Sequence, residues 1–184
     1  MGSLITLREL KKKDAPFMLE WMHDSDVTKF FKRNMLDMTL EDAQKFCESS
    51  ALPACISNGI SLHFAIVDEN DEYLGTVSLK NIDTDSASAE YAISLRKKAA
   101  GRGVATKASQ LLLRKGFVEY QLHRIYLNVY ADNMSAIKLY EKLGFTYEGE
   151  FRDHFNIRGK YMNWKWYGML RDEFDQIFGG GGQN

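Results

Sequence analysis

Cysteine is scarce in this sequence: Cys47 and Cys55 are the only two among 184 residues. Two thiols build no disulfide scaffold, and nothing around them has the spacing of a metal site, so the expectation is two reduced thiols in a cytoplasmic protein. Long apolar runs are also missing. None approaches the roughly 20 residues of a membrane-spanning helix. The start, Met1-Gly2-Ser3-Leu4, has neither the charged nor the apolar region of a secretory signal. Net charge is almost absent, at -1, so no overall basic field recruits nucleic acid or an anionic membrane. Four histidines, His23, His63, His123 and His154, are scattered without metal-ligand spacing, and no metal site is expected. What remains is 45% hydrophobic and 12% aromatic, enough for one sizeable core.

Residues 4–10 (LITLREL) alternate apolar and polar, which predicts a half-buried strand. Asp14 is placed to cap a helix from Ala15 to Met22 with Pro16 in its first turn. Thr39-Leu40-Glu41-Asp42 resembles a capping box opening a helix to about Ser49. A hairpin follows: LHFAIV, a turn at Asn70-Asp71, and Tyr73 to Asn81. Ser88 to Leu95 alternates again as a fourth strand. The period then changes, because Val104, Ala108, Leu111, Leu112 and Val118 recur at helical spacing and predict one long helix from Gly103 to Glu119. Arg124 to Val129 reads as a strand. Asn133 caps a short helix that Gly144 ends. Thr146 to Phe155 and Lys160 to Leu170 form two antiparallel strands around Arg158-Gly159. Residues 1–178 read as one α/β domain with a mixed sheet, and residues 179–184 as a flexible glycine-rich tail.

The segment from Arg96 to Ala105 (RKKAAGRGVA) joins a strand to the start of the long helix. Glycines let the backbone approach a ligand, and the first helical N–H groups have no partner within the helix. With the helix dipole they make an anion site. From Arg96 to Lys115 there are seven cations (Arg96, Lys97, Lys98, Arg102, Lys107, Arg114, Lys115) and no acid. Cations at a helix start oppose the dipole, so a bound polyanion is one explanation and a solvated basic turn the other. The spacing fits neither a Walker loop nor a dinucleotide fingerprint.

These pieces together resemble the GNAT acetyltransferase superfamily. Its signature turn, Gln/Arg-x-x-Gly-x-Gly/Ala, is matched by Ala100-Gly101-Arg102-Gly103-Val104-Ala105, with Ala100 departing at the first position. A second landmark, Asn-x-x-Ala-x-x-x-Tyr-x-x-x-Gly-Phe, stands as Asn133, Ala136, Tyr140, Gly144 and Phe145. The likeness runs from about Leu4 to Phe178. It points to the branch of ribosomal-protein N-terminal, spermidine and amino-sugar acetyltransferases, in part through EGEFRDHFNIRGKY.

The resemblance implies a mixed, mostly antiparallel sheet of six to seven strands with about four helices, splayed between the fourth and fifth strands. It implies acetyl-CoA as cosubstrate and acetyl transfer to a primary amine by direct attack in a ternary complex. Cofactor contacts are expected from Ile93, Ser94 and Leu95 on the fourth strand, from Ala100, Gly101, Arg102, Gly103, Val104, Ala105 and Thr106 in the turn, and from Asn133 and Lys142. Tyr140 is the expected general acid, since a phenol near pKa ~10 matches a departing thiolate. Glu90 is the candidate base, with an exposed strand carboxylate as the plain alternative. Alternation puts Glu90, Ala92 and Ser94 on one face and Tyr91, Ile93 and Leu95 on the helix-covered one. No acyl-cysteine intermediate is expected.

For the acceptor the resemblance allows an amino sugar, a polyamine or a protein N-terminus. It places that pocket at the first two helices and the C-terminal strands, which singles out His154. Between Asp14 and Ser50 lie eight acids (Asp14, Glu20, Asp24, Asp26, Asp37, Glu41, Asp42, Glu48) and four bases. They read either as an acidic lip for a cationic amine or as two solvated helices. Trp21, Phe30, Phe31, Tyr161, Trp164 and Trp166 line a pocket or fill a core. Open edges at the C-terminal strands leave room for a homodimer. A CoA-binding regulatory domain without turnover is the alternative class.

Overall fold

The computed structural model describes residues 4–31, 33–157 and 159–179. The expected tail beyond Gly179, and Arg158 of the expected hairpin turn, lie outside them. In chain order the elements are β1 (Thr6–Glu9), α1 (Ala15–Met22), α2 (Ser25–Thr28), α3 (Leu40–Ser49), β2 (Leu62–Val67), β3 (Tyr73–Asp83), β4 (Ser88–Leu95), α4 (Val104–Arg114), β5 (Arg124–Tyr130), α5 (Met134–Leu143), β6 (Thr146–Ile157), β7 (Lys160–Leu170) and α6 (Arg171–Phe178). All seven strands form one sheet in the order β1-β2-β3-β4-β5-β7-β6. Every neighbouring pair is antiparallel except β4 and β5. Among the described residues no helix is long and apolar enough to cross a membrane.

Helices cover both sheet faces. On one, α1 and α3 bury Met18, Trp21, Met22, Ala43 and Cys47 against Ala65, Val67 and Tyr73. On the other, Ala108, Leu112, Leu113 and Phe117 of the α4 region and Ile137, Tyr140 and Leu143 of α5 pack on Phe64, Leu79, Tyr91, Ile125 and Leu127. The period of two in the strands sorts residues between these cores, as Ala89 and Tyr91 are buried in the second while Glu90 points the opposite way.

Three expectations need correcting. The long helix does not run unbroken to Glu119: α4 ends at Arg114, and Lys115–Glu119 form a wider π turn closed by Tyr120 N–H on Lys115 O at 2.8 Å. That turn brings Gly116 so close to β5 that a Cβ there would meet the Ile125 side chain. The extra residue rotates Val118 out of the buried stripe, to 47% exposed. Asp14 sits before α1 but gives it no side-chain cap. Its carboxylate instead takes both ends of the Arg8 guanidinium, at 2.7 and 2.9 Å, and the Lys11 N–H at 2.9 Å. Helices α2 and α6 raise the count to six among the described residues. The signal for α6 was legible: Phe174, Ile177 and Phe178 share a helical face behind the acidic first turn Asp172-Glu173.

Gly75 on β3 lies opposite Leu95 of β4, where an added Cβ would collide with the Ser94 carbonyl oxygen and the Leu95 side chain. The backbone cannot yield there without moving the end of β4. Gly75→Ala is expected to lower the unfolding free energy by about 1–3 kcal/mol, read as a shifted midpoint with unchanged slope in urea. An unchanged midpoint would mean that β3 and β4 part at that point without cost.

Candidate active site

Strands β4 and β5 pair in parallel over Ser88–Arg124, Ala89–Ile125 and Glu90–Tyr126, and there the pairing stops. Beyond it β4 continues to Leu95 bonded to β3 alone, and β5 to Tyr130 bonded to β7 alone. Between them a wedge opens, lined by strand backbone with no neighbour on that side. This is the expected splay, and Ile93, Ser94 and Leu95 lie along its β4 wall, each half-buried.

The vertex carries the two candidate catalytic side chains. Glu90 is the last paired residue of β4. Its Oε1 accepts from Lys80 Nζ at 2.7 Å and from Asn128 Nδ2 at 3.4 Å, and its Oε2 from Asn81 Nδ2 at 2.9 Å. Its side chain is 15% exposed. Tyr91, one residue on, points to the opposite face, and the Tyr140 ring of α5 meets it edge to face at 5.8 Å. Phe145 and Tyr167 complete the walls around Tyr140. Burial pushes the Tyr140 phenol well above its usual range, so it keeps its proton at neutral pH. The Tyr91 hydroxyl is held by Ser109 Oγ at 2.6 Å; burial and the neighbouring Tyr140 push it well above the usual phenol range, against the smaller opposing effect of the Ser109 bond. Glu90 and Tyr140 thus flank the vertex from opposite faces of the sheet.

At the far end of β4 the chain makes a short 3-10 turn over Lys97–Ala99 and reaches α4 through Gly101 (φ 74°) and Gly103 (φ 75°). Both glycines are left-handed with open space where a Cβ would go. Gly103 is the residue before α4, and no side chain caps the helix. The first amides of α4 are therefore free of side-chain partners, which is the donor set a diphosphate needs. Ala100, Gly101 and Arg102 are exposed, Val104 is buried under the turn, and Ala105 and Thr106 are half-buried. Arg102 has no ion-pair partner among the described residues. Asn133 caps α5 by accepting from the Ala136 N–H at 3.3 Å, and Lys142 is exposed on the same helix.

The basic run is not the free anion cradle its charge suggested. Arg96 is 5% exposed and paired with Glu20 and Glu72, Lys98 with Glu72, Lys97 with Asp26 at 3.9 Å, and Lys115 with Glu119. Nor is the acidic segment a free lip. Asp14 pairs with Arg8, Glu20 with Arg96, Asp26 with Lys29 and Lys97, Glu41 with Lys45 and Glu48 with Lys12. Asp24, Asp37 and Asp42 are held in local turns and caps.

The aromatics divide. Trp21 and Phe31 belong to the core under α1 and α3, with Trp21 Nε1 donating to the Tyr73 hydroxyl at 3.0 Å. Trp164 and Trp166 belong to neither core. They sit on the Glu90 face of β7 with ring centres 6.2 Å apart. Trp164 stacks on Tyr130 at 5.6 Å, Trp166 lies 6.1 Å from Tyr126, and Phe30 stacks on Tyr130 at 6.1 Å. The His154 ring joins this group against Trp164 at 5.4 Å, while Tyr161 is 62% exposed outside it. Trp166 Nε1 is buried without a hydrogen-bond partner. Of the other histidines, His63 is half-buried and bonded to Ser78 Oγ at 2.8 Å, not on the surface. Asn128, Tyr126 and Tyr130 escaped the sequence reading. Their alternation along β5 was visible, but which strands flank β5 was not. Cys47 is buried, its thiol pushed up to about 11 by desolvation, and so is no ready nucleophile.

The comparisons with known proteins agree with this geometry. Residues 5–146 match the model of the acetyltransferase (GNAT) domain. The spermidine N(1)-acetyltransferase of Escherichia coli (strain K12) is 32% identical over 159 residues, covering 86% of this chain and 82% of that protein. That of Vibrio cholerae is 30% identical over 176 residues, covering 95% and 97%. A crystal structure of spermidine N-acetyltransferase from Vibrio cholerae in complex with CoA and spermine superimposes with a TM-score of 0.81 at 25% identity, covering 92% of this chain and 97% of that one. With its wedge, its glycine turn and a family match over most of its length, the chain belongs to the GNAT acetyltransferase family and is an N-acetyltransferase that uses acetyl-CoA.

Proposed function

We propose that the acceptor is a polyamine and that transfer takes place at the vertex where β4 and β5 part. The observation that carries this reading is the placement of Glu90 and Tyr140 on opposite faces of the sheet at that vertex. An acyl donor lying in the wedge would meet the amine on the Glu90 face and release its thiol on the Tyr140 face.

The residues present fit acetyl-CoA. The amides around Gly101, Gly103 and Ala105 suit its diphosphate, with Arg102 alongside. The unpaired edge of Ile93–Leu95 suits an extended amide-bearing arm, and a backbone N–H there, at Ser94 or next to it, suits the oxyanion. Asn133 and Lys142 border that path. The cosubstrate supplies an activated acetyl thioester; the chain supplies position and two proton sites. Glu90 takes the proton that the attacking amine loses, Asn128 and Lys80 hold the carboxylate in place, and the Tyr140 phenol gives its proton to the departing sulfur. Each such proton transfer is worth roughly 10²–10⁴ in rate.

A cationic acceptor is supported by what surrounds Glu90. Tyr126, Tyr130, Trp164 and Trp166 form an aromatic face beside the carboxylate, and aromatic faces attract ammonium groups. The acids between Asp14 and Ser50 give no such support, because each already has a partner. Relatives named spermidine N(1)-acetyltransferases point the same way.

Three outcomes are expected. In a CoA-release assay, spermidine and spermine give kcat/KM values well above those of amino sugars and short peptides; a peptide or amino sugar at the top of the series would replace the polyamine reading. Tyr140→Phe lowers kcat by about 10² or more with acetyl-CoA affinity unchanged by calorimetry, and an unaltered kcat removes Tyr140 as the acid. Gly103→Ala forces a side chain into left-handed backbone at a cost of about 1–2 kcal/mol, seen in urea unfolding, and weakens acetyl-CoA binding. Retained affinity would mean that the turn does not hold the diphosphate.

A further inference from the structure

Two charge anomalies in the sequence meet in the structure. Two of the acids between Asp14 and Ser50, Glu20 and Asp26, meet two of the bases between Arg96 and Lys115, Arg96 and Lys97, at the end of β4. Their contact centres on Arg96, the residue that follows β4. Its Nε and Nη2 form a fork on the two carboxylate oxygens of Glu20, at 2.7 and 2.8 Å. Its Nη1 reaches Glu72 Oε1 at 3.0 Å and the Tyr73 carbonyl at 2.7 Å. The Phe17 ring of α1 lies 4.7 Å from its guanidinium carbon. Every hydrogen-bonding nitrogen of the guanidinium is committed, and the side chain is 5% exposed.

The backbone of Arg96 is tied as firmly. Its N–H donates to the Leu74 carbonyl at 2.9 Å, and its own carbonyl accepts from Ala99 N–H at 2.9 Å. Ala100 N–H then closes on Lys97 O at 3.1 Å, and Gly101 follows. From there to α4 no side-chain cap holds the chain among the described residues, neither at the 3-10 turn nor at the start of α4, and both glycines are in left-handed backbone. Such a segment is intrinsically loose. Its shape is set by its two ends, α4 on one side and, on the other, Arg96 together with the buried Ala99 and the Lys98–Glu72 pair.

Stability alone is a weak reason for this arrangement. A buried guanidinium costs desolvation that ion pairing only partly returns, and an apolar side chain often stabilises as well. A planar fork does something an apolar side chain cannot: it fixes position and orientation at once. We propose that Arg96 is a positioning residue for acetyl-CoA, with Glu20 as its anchor, so that α1 on the acceptor face forms part of the cofactor site. This rests on the reading of residues 100–106 as the diphosphate turn. Without the clasp the turn spends less time in the competent shape, and apparent affinity falls by that fraction.

The test compares the intact wild-type chain with Glu20→Gln, Arg96→Lys and the double variant, with Gly103→Ala as the control for the turn. Glu20→Gln keeps shape and removes charge at a half-exposed site, so it remains informative even if Arg96 variants fail to fold. Arg96→Lys keeps charge and removes the fork. The expected result is an acetyl-CoA KM raised about fivefold or more in each single variant, kcat at saturating acetyl-CoA within about twofold, and a double variant little worse than the poorer single one, since both remove one interaction. Wild-type KM in Glu20→Gln and Arg96→Lys, with lowered kcat or melting temperature, makes the clasp a strut and overturns the proposal. If Gly103→Ala weakens binding while those two do not, the clasp fails and the turn survives. If the wild type binds no acetyl-CoA, both readings fall.

Discussion

After Glu90 and Tyr126, β4 and β5 have no further cross-strand partner in each other, and everything of functional interest is arranged around that interruption. A sheet normally satisfies its backbone groups strand to strand, and unpaired ones are costly wherever water is excluded. Here the cost is held to one wedge. On the β4 side, β3 pairs from Gly75 to Asp83 without help from β5; on the other, β7 pairs with β5 over its whole length. The two halves are hydrogen-bonded ribbons joined by three parallel residue pairs and by the helices. Just past the last pair, Tyr91 packs against Tyr140 and Phe145 and ties β4 to α5. Packing thus maintains a row of unsatisfied amides at the place where an extended substrate can use them.

The vertex also separates two kinds of environment that one surface could not offer together. On the α5 face, Tyr140 lies among aromatic rings that strip water from its phenol and keep it protonated. On the other, Glu90 lies among Lys80, Asn81 and Asn128, polar groups suited to a carboxylate. The acid role proposed for Tyr140 and the base role proposed for Glu90 suit these two environments. The strand period of two supplies this division without any loop, because consecutive residues of β4, Glu90 and Tyr91, face opposite ways.

The sequence was most legible where the chemistry is local. The bounds of α1, β2, β4 and β7 follow from periodicity and turn residues, and the left-handed glycines at 101, 103 and 144 were readable because few other residues take that backbone cheaply. Readings that required knowledge of partners fared worse. Asp14 resembled a helix cap because its buried bond with Arg8 is a tertiary fact. The regular apolar spacing after Val104 gave no warning of the π turn, which brings Gly116 against β5. Trp21 and Trp164 look alike in sequence, yet one is core and the other lies on an open face. Asn128 stands beside Glu90 only because β5 is the neighbour of β4, which no spacing along the chain reveals.

Charge shows the same limit most clearly. Counted along the chain, an acidic segment and a basic one each suggest a field awaiting a ligand of opposite sign. Folded, most of these charges have close partners of opposite sign: Arg96 meets Glu20 and Glu72, Lys97 meets Asp26, Lys98 meets Glu72, and Asp14, Glu41 and Glu48 pair with Arg8, Lys45 and Lys12. A long-range field therefore does little to draw substrates to this site, and discrimination has to come from short-range contacts. On the acceptor face those contacts are a carboxylate already held by its neighbours and a row of aromatic rings outside both cores. The rings do not close the hydrophobic interior, and Trp166 keeps a buried N–H without a partner at a cost of about 1–3 kcal/mol. In a chain whose other buried side-chain polar atoms among the described residues are satisfied, the proposed amine acceptor gives this aromatic face a role that packing alone does not supply.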